Sequence, residues 1–195
     1  MLRATVGLLL LFCLEGHAQP DRVGLWFTKE AVPYSLLSPF TGPMHPGGAL
    51  TLGHQLKEGD TWSHWLYADL GGYYHAQFQT GAYLQARYQW ERPLPHGFTW
   101  GLGAGLGYLR TFFPRGRYRL ENNELVQVPA VGRSSATAQV ATSLAWAPAA
   151  LPDWQAVVQL QGWVEGPFAP DYGVPVFPHT FLQVGIVKTL HHYVN

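Results

Sequence analysis

The stretch FTWGLGAGLGYLR, Phe98 to Arg110, decides how the rest of the chain is read. Its glycines suggest a loop that wraps a phosphate, but a dinucleotide fingerprint needs G-x-G-x-x-G between a strand and a helix. Here Gly101, Gly103, Gly105 and Gly107 fall on every second residue, and Leu106 stands where the third fingerprint glycine belongs. Tyr108, Arg110, Phe112, Phe113 and Pro114 follow with no helical pattern, and no acidic residue is placed for a ribose. Period two fits instead: Phe98, Trp100, Leu102, Ala104, Leu106 and Tyr108 share one face, Thr99 and the four glycines the other. The stretch reads as a strand with one apolar and one nearly bare face.

The same alternation recurs outward from it. Ala82, Leu84, Ala86, Tyr88 and Trp90 oppose Tyr83, Gln85, Arg87, Gln89 and Glu91. Ala136, Ala138, Val140, Leu144 and Trp146 oppose Ser135, Thr137, Gln139 and Ser143, with Thr142 the polar residue on the apolar face. Trp154, Ala156, Val158, Leu160 and Val164 oppose Gln155, Gln159, Gln161 and Glu165, with Val157 and Trp163 as exceptions on the polar face. Leu182, Val184 and Ile186 oppose Gln183 and Gly185; Leu50 and Leu52 oppose Thr51 and Gln55. Leu66, Ala68, Leu70 and Tyr74 oppose Tyr67, Asp69, Tyr73, His75 and Gln77, and Val23, Leu25 and Phe27 oppose Gly24, Trp26, Thr28 and Glu30. These patterns make eight strands.

The connections between them alternate too. Short ones, KEGDT from Lys57, RPLPHG from Arg92 and PAALPD from Pro148, alternate with longer ones over Pro33 to Met44, Phe113 to Gly132 and Gly166 to Pro178; the link near Gln77 to Gly81 is tight. This describes an up-and-down barrel with one plain and one elaborated rim.

Composition indicates which face is wet. Charged residues make up 12% of the chain, about half the ~25% usual for soluble domains, while aromatic residues make up 14% and tryptophans number eight. The outer face of a soluble barrel should be charged, but the polar face here is Gly, Gln, Ser, Thr and Tyr, suited to a narrow interior. Trp90, Trp100, Tyr108, Trp146 and Trp154 lie on the apolar face toward strand ends, the girdle positions of a transmembrane barrel. The predicted fold is an all-β, eight-stranded antiparallel up-and-down transmembrane β-barrel, with both termini at the plain rim. Lysines and arginines balance aspartates and glutamates at 12 each, which argues against a nucleic-acid partner.

The N-terminus fits export. Met1, Leu2 and Arg3 precede an apolar run from Val6 to Leu14 and the small residues Gly16 and Ala18, which reads as a secretory signal peptide over 1–18 with the barrel over 19–195. Bulky Phe12 and Leu14 beside Cys13 argue against lipidation, and cleavage before Gln19 removes the one cysteine and with it any disulfide or thiol chemistry.

The segments HPGGALTLG from His45, GGYYH from Gly71, GLGAGLGYL from Gly101 and GVPVFPHT from Gly173 resemble a family of small outer-membrane β-barrel proteins of Gram-negative bacteria with no assigned function. The resemblance spans nearly the whole mature chain and implies an outer-membrane location, periplasmic termini, contact with lipid and lipopolysaccharide, and insertion by the barrel assembly machinery as a monomer. Barrels of this class end in an aromatic residue with a polar residue and a glycine before it. QVGIVKTL from Gln183 partly fits, while Lys188 and the trailing HHYVN depart from the pattern.

Several groups carry possible chemistry. The resemblance includes lipid A deacylases, which need a serine beside a base histidine. SHW from Ser63 and HTF from His179 are the nearest local candidates, and neither matches the His-x-Ser pattern of those enzymes. His54 and His64 fall on the lipid-facing parity near the plain rim. His45 starts the second strand, His75 ends the third and His179 starts the eighth, so all three are expected in the lumen near the elaborated rim. There they would bind a small ligand, or a transition metal through neutral imidazoles with Glu30 or Asp171 as further ligands, or form a hydrogen-bonded plug with Tyr67, Tyr73 and Tyr83 that needs no metal. Asp69, Arg87, Glu91 and Glu165 also point inward, and Arg87 should pair with one or more of the carboxylates. Arg115, Arg117 and Arg119 are placed to meet lipopolysaccharide phosphates or to form a solvated face.

Overall fold

The computed structural model describes residues 19–31, 45–75, 79–112, 117–121, 124–128, 132–168 and 173–191. The expected signal peptide, the connection from Pro33 to Met44, Arg115 and Asp171 lie outside these residues.

Period-two alternation is realised as β1 (Arg22–Ala31), β2 (His45–Lys57), β3 (Ser63–Tyr73), β4 (Thr80–Pro93), β5 (Phe98–Phe112), β8 (Arg133–Trp146), β9 (Trp154–Gly166) and β10 (Phe177–Thr189). These eight close into one barrel, each antiparallel to its chain neighbours, and β1 and β10 form the seam from Arg22↔Thr189 to Ala31↔Thr180. Closure leaves no unpaired strand edge, the condition for crossing a bilayer with strands. A separate hairpin, β6 (Arg117–Glu121) with β7 (Glu124–Val128), rises in the link between β5 and β8. Its five-residue strands are too short for alternation to distinguish from a loop.

The short connections, 58–62, 94–97 and 147–153, share one rim with Arg22 and Thr189. The second of them turns within Pro95–Gly97, where His96 and Gly97 take φ of 63° and 78°. The opposite rim is formed by the strand ends at Ala31, His45, Tyr73, Thr80, Phe112, Arg133, Gly166 and Phe177. One sequence expectation needs correction here. Pairing of β3 with β4 stops at Tyr73↔Gly81, so His75 lies two residues past β3 in the link and does not end the strand. The five aromatic girdle residues lie toward strand ends as expected, divided by ring type: Trp90, Trp100, Trp146 and Trp154 on the short-turn rim, and Tyr108, with Phe112, toward the other. Indoles therefore mark one interface rather than both.

Each barrel strand sends an apolar side chain outward: Leu25, Leu50, Leu70, Leu84, Leu106, Val140, Val158 and Val184 are all exposed. An apolar band around a whole barrel far exceeds what a soluble monomer tolerates, and lipid is its natural solvent. Thr142 is accommodated on this face because it accepts from Trp100 Nε1 at 3.0 Å and donates to the Gly101 carbonyl at 3.1 Å. Lys188 is accommodated at the rim, its ammonium 5.3 Å from the Trp154 ring centre.

The inside is filled. The apolar exceptions Val157 and Trp163 are buried in the lumen, where Trp163 stands edge-on to Tyr83 and packs on Phe181. The glycine face of β5 faces inward, and a Cβ on Gly103 would lie 3.3 Å from the Arg87 side chain, which crosses it. At Gly105 a Cβ would meet the Ala86 carbonyl at 2.3 Å and Arg87 Cα at 2.9 Å, so strand backbone itself occupies the space. In the half nearer the short turns a cavity of about 20 Å³ remains, lined by Arg87, Gln89, Glu91, Ser143 and Gln159 among others, room for about one water.

Candidate functional site

Two polar networks occupy the lumen, separated by the aromatic layer of Tyr83, Trp163 and Phe181. The network nearer the short turns is built on inward positions of β1 to β4. Trp26 Nε1 donates to Thr51 Oγ1 at 2.7 Å, and Thr51 donates to Asp69 Oδ1 at 2.6 Å. Asp69 Oδ2 accepts from Arg87 Nε at 3.3 Å. Arg87 also donates to Gln89, whose amide donates to Glu91 Oε1 at 2.8 Å. Glu91 in turn accepts from Tyr67 at 2.8 Å and pairs with Arg22 at 2.7 Å. The guanidinium of Arg22 lies 3.7 Å over the Trp65 ring. A carboxylate taken into a narrow lumen needs a cation and hydrogen bonds to repay its lost hydration, and each of these has them.

The sequence reading grouped Asp69, Arg87, Glu91 and Glu165 together. The structure pairs Arg87 directly with Asp69, reaches Glu91 through Gln89, and puts Glu165 in the other network. Arg22 and Arg133, partners of Glu91 and Glu165, were not singled out in the sequence. Arg22 stands on the inward parity of β1, at a strand end where the alternation is short.

The network at the long-loop rim centres on His179. Its Nδ1 is 3.0 Å from Glu30 Oε1 and its Nε2 3.0 Å from Glu165 Oε2. All three groups are buried. Both contacts are hydrogen bonds only if both ring nitrogens carry protons and donate, or if one carboxyl keeps its proton and donates to a bare ring nitrogen. Glu165 Oε1 accepts from Ser135 at 2.8 Å and pairs with Arg133, whose guanidinium lies over Phe168. Gln79 donates to the Tyr73 hydroxyl at 3.0 Å beneath them.

The other oxygen of Glu30, Oε2, is 3.1 Å from His45 Nδ1, as their direct cross-strand register requires. The His45 ring stacks on His75, with centroids 3.6 Å apart and planes at 27°. Burial, then the neighbouring His45, lowers the pKa of His75, so its imidazole is neutral at pH 7. One donor atom from each of Glu30, His45 and His75 lies within 4.8 Å of the others. His179 is thus placed beside the pair His45 and His75, joined to them through Glu30, rather than converging with them on one point. Asp171 lies outside the described residues, as does Arg115, and Arg117 and Arg119 fall on β6.

The serine and histidine candidates for hydrolysis do not meet. His64 Nδ1 is bonded to the Tyr88 hydroxyl at 2.6 Å, and Ser63 accepts from Trp65 Nε1 at 2.9 Å. Both nitrogens of His179 are engaged by carboxylates, which leaves none to accept a serine proton.

No protein-family model matches the chain, and no curated protein matches it. Solved structures do. Neisserial surface protein A is similar at 11% identity and a TM-score of 0.53, over 87% of this chain and 95% of that one. The N-terminal β-barrel domain of Pseudomonas aeruginosa OprF is similar at 11% identity and a TM-score of 0.52, over 88% and 98%. The outer membrane enzyme PagL matches more weakly, at 8% identity and a TM-score of 0.48 over 87% and 99%. At such identities the likeness speaks for the fold, which is that of the small outer-membrane barrels.

Proposed function

We propose that this chain is an integral outer-membrane barrel whose role is structural or lies in what its elaborated rim meets, with a closed lumen and no catalytic centre. The observation that carries the reading is the pairing of an apolar exterior on all eight strands with an interior filled by paired ions, amides and aromatic rings. A channel needs a continuous wet path, and an enzyme needs a reactive group aimed at a substrate. Here the carboxylates of both networks are spent on arginine, histidine or hydroxyl partners inside the wall. The four segments quoted above support a place in the barrel family of unassigned function. The elaborated rim, with the β6–β7 hairpin and the sequence-placed Arg115, Arg117 and Arg119, is the surface that would meet lipopolysaccharide or an external partner.

Fractionation tests the location. The protein should partition with outer membranes and migrate faster on gels before boiling than after, as folded transmembrane barrels do. Recovery as a soluble monomer without detergent would refute the reading. Altered lipid A on overexpression would favour the second reading, a lipid-modifying enzyme, for which no described serine and histidine are arranged.

A further inference from the structure

We propose that Glu30, His45 and His75 form a site for one divalent transition-metal ion at the mouth of the barrel on the long-loop side, with His179 holding the Glu30 carboxylate in place. The inference needs the closed barrel but not its location in a particular membrane. Two imidazoles and one carboxylate are a donor set that zinc accepts with a fourth position left open. A 2-His-1-carboxylate set also suits other first-row divalent ions, so the donors define the class of ion rather than one element.

Geometry argues for convergence. Two donors each about 2.05 Å from a tetrahedral ion are about 3.3 Å apart. Glu30 Oε2 and His45 Nδ1 are 3.1 Å apart, close to that separation, so an ion displacing the shared proton would seat to one side of the line between them once the imidazole turns toward it. His75 brings a donor within 4.8 Å of the other two, and it reaches the site from the link 74–79, where a small shift disturbs no ladder pairing.

His179 shows what a histidine held only for hydrogen bonding looks like in this lumen. It is buried, with a carboxylate on each nitrogen. His45 and His75 differ: they are half-buried at the mouth and stacked on each other beside one shared carboxylate. Glu30 is oriented from behind by His179, which is anchored on Glu165. Such outer-sphere hydrogen bonds fix ligand orientation and raise metal affinity. His179 is therefore a positioning residue, not a ligand.

The test is titration of zinc chloride into the tag-free full-length chain refolded in detergent micelles, followed by calorimetry, with the visible absorbance of cobalt(II) as a second probe. One ion per barrel is expected. His45→Ala, His75→Ala and Glu30→Gln should each weaken binding at least tenfold, and His191→Gln, at the far rim, should leave it unchanged. His179→Gln should weaken binding several-fold and shift the cobalt spectrum, which a merely structural role would not do. Heat-modifiable migration confirms folding of each variant; should His45→Ala fail to fold, His75→Ala, outside the strands, still decides. Absence of one-to-one binding by the folded wild type would overturn the site, as would wild-type affinity in folded His75→Ala or loss of binding in His191→Gln. Such a failure would leave the outer-membrane architecture standing, because fractionation and gel migration report on it independently.

Discussion

Gly105 has a role that only its lack of a side chain permits. The Ala86 carbonyl and Arg87 Cα occupy the space a Cβ would take, and backbone in a closed barrel cannot move aside cheaply. Gly103 faces the flexible part of the Arg87 side chain and the Tyr88 carbonyl at 3.1 Å, a tight but softer contact. Gly105→Ala should therefore lower stability more than Gly103→Ala, by about 1–3 kcal/mol as for other overpacked interiors. Urea unfolding in lipid vesicles, followed by tryptophan fluorescence, measures this; equal midpoints for both variants and wild type would contradict it. The inward glycine stripe was legible from spacing alone. Which glycine is most constrained was not, because that depends on how β4 is staggered against β5. The same holds for the ion pairs: Arg87 was seen to need a carboxylate, but the choice of Asp69 over Glu91 or Glu165 is fixed by register, which alternation does not report.

At the scale of the strand, exposure does not measure tolerance. Leu106 is 70% exposed in the middle of β5, and Leu151 is 55% exposed in the turn between β8 and β9. In a soluble protein both would accept a charge. In a bilayer, Leu106→Arg should destabilise the barrel by about 2–4 kcal/mol while Leu151→Arg costs about 0–1 kcal/mol, since the cost of a charge depends on its depth. Unfolding midpoints in the same vesicles distinguish the two, and an equal effect would argue against a membrane-spanning β5. The eight long strands were readable because each buries one face and exposes the other, which gives a period of two over its whole length. The five-residue strands β6 and β7 were not, and neither was the exact end of β3, where the pattern runs on into His75 after the pairing has stopped.

For the molecule as a whole, the division of the lumen into two polar networks around an aromatic layer sets its permeability. Eight strands enclose a space about wide enough for side chains, and here they fill it, leaving a void near the short turns of about 20 Å³. Purified protein in planar bilayers should show no discrete conductance steps; regular single-channel openings would mean that the lumen contents move aside. The barrel as a class was visible in the sequence from alternation, connection lengths and the shortage of charge. The candidate site was visible in part. Counting parity on neighbouring strands brought His45, His75, His179 and Glu30 to one end, but the separation of His179 from the other two follows from Glu165 and Glu30 reaching it from either side.

Glu30 lies on the first strand and His179 on the last, so their hydrogen bond crosses the seam where the chain meets itself, between residues 149 positions apart. Until β10 docks on β1, Glu30 has only His45 of the neighbouring strand, whereas Glu165 already meets His179 within the β9–β10 pair and Ser135 and Arg133 on β8. The bond works as a clasp that can be fastened last and only in the correct register, since a slip of one residue would turn His179 outward toward lipid. An ion seated at the mouth of the barrel would thereby be held more tightly once the circle is complete, because His179 reaches Glu30 only across the closed seam.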